Sequence, residues 1–205
     1  MKNLRNRATI CLLLFILFWC TADLSEAETK NSKIKISSIS KELAKKLIDD
    51  QISKTKLKNL NDDTLKPDDN QNFQIHYQTK NYYLISSIRY LPPDSTCSVL
   101  LFDDSKNIVD AIDVLGPKDD KRFWMCTYIE AISFSDYYPD GSLKIIALYL
   151  ATPPSSEHFT LPIVLKMDLN KPSLTIDEEL TSKFEDSDIK TIKEARSLLN
   201  KQKDK

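Results

Sequence analysis

Between Phe73 and Met167 the sequence is a succession of short apolar segments, each rich in β-branched or aromatic residues and each ended by Asp, Asn, Pro or Gly. Segments of this length alternating with turn residues favour antiparallel strands joined locally over long helices. Phe73 to Gln78 alternates apolar and polar side chains, and Tyr82 to Leu91 follows after a turn expected at Lys80-Asn81. Cys97 to Phe102 and Ile108 to Leu115 flank the turn-forming run Asp103-Asp104-Ser105-Lys106-Asn107, which predicts a second hairpin. Beyond Gly116-Pro117-Lys118-Asp119-Asp120, three further segments run over Arg122 to Phe134, Leu143 to Leu150 and Leu161 to Met167. The expectation is a mainly β (α+β) fold, an antiparallel meander or sandwich of about seven strands. No repeat of fixed period runs through the chain, which argues against a solenoid or propeller.

The flanks have a different period. Residues 28–72 are dominated by Lys, Asp, Asn, Ser and Thr and read as a polar linker with one short helix over 41–53, where Ser40 is the cap and Leu43, Leu47, Ile48 and Ile52 share a side. The run from Asn61 to Asn70 is expected to break the chain before the first strand. The β-rich domain is then residues 73–170. Residues 171–205 read as a C-terminal helical segment. In it Thr175 and Glu178 form a capping-box pair, and Asp188 is placed to cap a last helix with Ile189, Ile192, Ala195 and Leu199 on its apolar side.

Residues 1–27 have the order of a secretory signal peptide: Lys2, Arg5 and Arg7, an apolar run from Ile10 to Trp19, then a small-residue cleavage site ending at Ala27. An earlier cut after Ala22 is the alternative. The apolar run is about half the roughly 20 residues a membrane-spanning helix needs, so no stable span is expected after cleavage. Cys20 follows the run as a lipidated cysteine would, but bulky Trp19 stands where a lipoprotein signal has a small residue. Cleavage takes three basic and two acidic residues from totals of 29 and 30, leaving a nearly balanced chain. Without a basic excess, nucleic acid is not the expected partner. Cleavage also leaves two cysteines, Cys97 and Cys126, which in an oxidising compartment are expected to form a disulfide.

Chemistry is constrained by scarcity. The two glycines, Gly116 and Gly141, cannot build a Walker loop or a dinucleotide fingerprint, and two histidines, His76 and His158, are too few for a three-histidine zinc site. One local pattern stands out at residues 132–146, where Asp136-Tyr137-Tyr138-Pro139-Asp140-Gly141 separates two apolar segments. It resembles the acidic turn of FG-GAP or VCBS-type β-repeats, in which carboxylates on such a turn hold calcium. The resemblance implies Asp136 and Asp140 as calcium ligands and Gly141 as the sharp-turn residue, while Tyr138 occupies the middle acidic place. The reading from the residues themselves is a polar turn closed by Gly141 with positive φ, and no resident cofactor.

Phe123 and Trp124 beside Cys126, with Tyr137 and Tyr138, make a candidate aromatic binding surface or, alternatively, core packing around the disulfide. Glu130 and Asp136 are the carboxylates a small hydrolase would use. The expected function is an exported, periplasmic or extracellular, non-enzymatic binding protein of inhibitor or immunity type. Its expected partner is a protein or polysaccharide of the cell envelope. A calcium-stabilised surface or adhesion module and a carboxylate-dependent hydrolase are the alternatives.

Overall fold

The computed structural model describes residues 34–55, 64–91, 94–116, 124–137, 141–153 and 157–203; the expected signal peptide at 1–27 lies outside them. The fold is mainly β, with two antiparallel sheets. Strands β1 (Lys35–Ser38), β2 (Leu65–Tyr77), β3 (Lys80–Leu91), β4 (Asp94–Phe102) and β5 (Ile108–Leu115) form a five-stranded sheet in chain order. Strands β6 (Met125–Tyr137), β7 (Ser142–Thr152), β8 (Phe159–Asp168) and β9 (Ser173–Ile176) form a four-stranded one, also in order. The helices are α1 (Lys41–Thr55), α2 (Glu178–Asp186) and α3 (Ile192–Lys203).

The two sheets pack face to face on alternate residues of their strands. Ile75, Tyr82, Leu84, Val99 and Leu101 from one sheet meet Ile145, Ala147, Tyr149, Ile163 and Leu165 from the other, all essentially inaccessible to solvent. The opposite faces are partly apolar as well, and helices cover them. On the five-stranded sheet, Ile85, Leu100 and Phe102 pack with Ala44, Leu47 and Ile48 of α1. On the four-stranded sheet, Ile146, Leu148 and Val164 pack with Leu180 and Phe184 of α2 and Ala195 and Leu199 of α3. The result is a four-layered sandwich, helix on sheet on sheet on helices. This explains why β7 is apolar on consecutive residues: both of its faces are buried.

Nine strands are described, two more than the seven expected. Both additions are four residues long and lie in segments read as flanks. The stretch 28–72, expected as linker, contributes β1 and the first part of β2. The Asp- and Asn-rich run does not separate elements; it forms an irregularity inside β2, whose pairing with β3 shifts between Pro67 and Asn72. Its side chains replace the missing ladder bonds. Asp68 Oδ1 accepts from the Asn70 and Gln71 backbone N–H groups at 2.9 and 3.0 Å. Buried Asn72 donates to the Asp68 carbonyl and accepts from the Ser86 N–H. The strand survives because short amide and carboxylate side chains imitate backbone partners.

Other boundaries move for similar local reasons. The β2–β3 turn is at Gln78-Thr79, with Gln78 at φ 56°, so Lys80 and Asn81 belong to β3. Thr175 lies in β9, and the α2 cap is Asp177, whose Oδ1 accepts from Leu180 N at 3.1 Å. Asp188 has φ 49° and caps no helix; Thr191 and Glu194 form the capping box of α3, each accepting the other's backbone N–H.

Side chains also close gaps between the layers. Gln71 Oε1 accepts from Ile132 N of β6 at 2.8 Å, and Asp110 of β5 accepts from Leu174 N of β9. Where β9 ends, Thr181 of α2 accepts from Val164 N of β8 at 3.0 Å. Pro162, two residues earlier, presents its missing N–H on that same side, the place where an edge tolerates proline.

Candidate functional site

Cys97 of β4 and Cys126 of β6 are disulfide-bonded, with Cα atoms 5.6 Å apart and both residues fully buried. The bond joins the two sheets at one pole of the sandwich. There Trp124 packs edge-on against Phe159, ring centroids 5.2 Å apart, as part of the core margin. The expected aromatic surface is not brought together. Trp124 precedes β6 and Tyr137 ends it, so some 13 residues of extended chain put them roughly 40 Å apart. Phe123, Tyr138 and Asp140 lie outside the described residues, as do the side chains of Asp136 and Tyr137. Among the described residues no group of three His, Cys, Asp or Glu side chains is gathered to hold a metal. Gly141 has φ +85°, the conformation expected of it, and its carbonyl accepts from Leu169 N.

Glu130 and Asp136 are six residues apart on one strand, on the order of 20 Å. A glycosidase pair needs carboxylates within about 10 Å. Glu130 instead accepts from the Thr160 hydroxyl at 2.9 Å. The pairing of two carboxylates in one cleft is therefore not formed.

The strand register assembles a different surface, one that sequence reading missed. Across β6, β7 and β8 the outward-facing side chains form rows. Ser133, Ile146 and Val164 form one row, and Ala131, Leu148 and Pro162 the next. Apolar members of both rows pack with α2 and α3. Nearer the disulfide pole, Tyr128, Leu150 and Thr160 form the next row and Met125 pairs with Thr152. No described helix packs on these last two. Tyr128 is 44% exposed in the middle of a strand. Met125 and Leu150 beside it are half-buried.

Polar groups frame this apolar strip and are held in fixed positions. The Thr127 and Thr152 hydroxyls are 2.6 Å apart, and the Thr152 hydroxyl lies 2.6 Å from His158 Nδ1. Glu130 and Thr160 pair on the far side of Tyr128. Two register shifts, at Thr127 and at Glu130, make this possible by turning an extra polar residue of β6 outward beside Tyr128. No family model, curated protein or solved structure matches the chain. The chemistry of the face must therefore be read from its own residues.

An exposed tyrosine flanked by methionine and leucine, with a rim of hydroxyls, an imidazole and a carboxylate, has the composition of a protein-contact centre. The inner tyrosines take no part: burial pushes the Tyr149 phenol above its usual range, and Tyr82 donates to the Leu169 carbonyl between the sheets. The surface offers shape and hydrogen bonding.

Proposed function

We propose that this chain is an exported, non-enzymatic domain that binds another protein of the cell envelope through the Tyr128 face. The carrying observation is that Tyr128 stays 44% exposed on a strand whose next two rows, away from the disulfide pole, are covered by helices. Aromatic side chains lose little conformational freedom on binding and bury a large area, which is why they anchor interfaces. The hydrogen-bonded rim keeps polar groups oriented before a partner arrives.

Export is supported by the order of charge, apolar run and small residues at 1–27, and by a disulfide between the sheets, a bond that persists in oxidising compartments. A periplasmic or extracellular inhibitor or immunity protein is the class whose action needs only surface contact. The test is affinity capture from the envelope fraction with the oxidised chain, run beside its Tyr128→Ala variant. One protein held by the native chain and reduced at least about tenfold by the variant is the expected result. Equal capture by both chains overturns the Tyr128 face, and capture by neither overturns the protein partner.

A further inference from the structure

The outer surface of the five-stranded sheet carries a second concentration of polar side chains, near its β1 edge. Register sets them out in two rows: Lys35, His76 and Asn81 in one, Ser37, Gln74 and Tyr83 in the next. Lys35, Ser37, Gln74, His76 and Asn81 line an open groove of about 370 Å³. That is within the size range of small-molecule sites. All five stand on paired strands.

The hydrogen bonds in this groove have a defined direction. Asp104, whose carboxylate can only accept, takes an N–H from Asn81 Nδ2 at 2.9 Å. Asn81 Oδ1 consequently faces the other way and accepts from Gln74 Nε2 at 3.0 Å. The same oxygen lies 3.2 Å from His76 Nδ1, which must therefore carry a proton. In the neutral tautomer that has its proton on Nδ1, His76 Nε2 is an acceptor. So is Gln74 Oε1, while the Ser37 hydroxyl serves either way and the Lys35 ammonium donates.

We infer that this groove binds adjacent hydroxyl groups of a neutral saccharide. A hydroxyl both donates and accepts, so a neighbouring pair can give protons to His76 Nε2 and Gln74 Oε1 and take them from Lys35 and Ser37. A carboxylate has no donor, and a phosphate near neutral pH has mostly acceptor oxygens and at most two P–OH donors. Either would face two lone pairs, with the Asp104 charge behind Asn81 and Lys35 as the lining ammonium. The planar imidazole and amides are already oriented by Asp104, so little ordering is required when a sugar arrives. This site is on the opposite outer face from Tyr128 and stands independently of the protein-binding reading.

The experiment is an amide NMR titration of the oxidised, isotope-labelled chain with methyl hexosides and N-acetylglucosamine. Separate arms use a neutral tetrasaccharide, glucuronate and inorganic phosphate. The expected result is saturable shifts at Ser37, Gln74, His76 and Asn81 with at least one neutral sugar. His76→Ala and Gln74→Ala should each weaken that sugar about tenfold, the loss of roughly one well-made hydrogen bond, with the melting temperature held. Tighter binding of the tetrasaccharide assigns a polymer, and equal binding assigns free sugar. Three results overturn the inference: no shift with any neutral sugar, stronger saturation by phosphate or glucuronate, or sugar binding unchanged in both variants.

Discussion

At the scale of single residues, the sequence is read most reliably where backbone geometry leaves little choice. Gly141 has φ +85°, and a β-carbon there would run into the Asn170 side chain. Gly141→Ala is therefore expected to lower unfolding free energy by about 2 kcal/mol or more, measured by urea denaturation, since a positive φ alone costs an alanine about 1–2 kcal/mol. The Tyr149 hydroxyl could not be anticipated in the same way. It is buried between the sheets without a hydrogen-bond partner among the described residues. An unsatisfied buried donor costs about 1–3 kcal/mol, so Tyr149→Phe should raise stability by about 1 kcal/mol in the same experiment. An unchanged or lowered midpoint would mean that the hydroxyl is satisfied. Its phenol is held protonated by burial, and no pH effect from it is expected in the physiological range.

At the scale of elements, hydrophobic periodicity identifies the long strands and the first and last helices. It misses what side-chain hydrogen bonds decide. Asp68 and Asn72 make a turn-like sequence part of β2, and Asp177 and Thr191 take the capping roles expected of Thr175 and Asp188. These groups belong to the same residue types in either arrangement, so only their partners distinguish them. In α3, hydrogen bonds from the Lys190 and Thr191 backbone hold the Glu194 carboxyl below its usual range. A lowered folded pKa means stabilisation that is present above the ordinary glutamate value, about 4.3, and lost as pH falls through the folded one. Amide exchange at the start of α3, corrected for its intrinsic pH dependence, should accelerate as pH falls below the ordinary glutamate value, and Glu194→Gln should abolish that dependence. Asp110 clips β9 in place by accepting from Leu174 N, another bond made by a side chain. Asp110→Ala should cost about 1–3 kcal/mol and expose the β9 amides to exchange first.

For the whole molecule, the consequential link is Cys97–Cys126, which ties β4 to β6 across the two sheets. On the chain-entropy model a loop of about 30 residues contributes about 3–4 kcal/mol, so the Cys97→Ala/Cys126→Ala pair should lower stability by that order while the strand signal in circular dichroism persists. Loss of the strand signal would show that the sandwich depends on the bond to fold. The β-rich class, the disulfide partners and the positive-φ glycine are legible in the residues alone, because alternation, cysteine number and backbone sterics act locally or by elimination. How the strands divide between two sheets, which faces the helices cover and why Tyr128 is left outside emerge only on folding. Those outcomes depend on register, since a residue's place on a strand fixes its face only after its neighbours across the sheet are known.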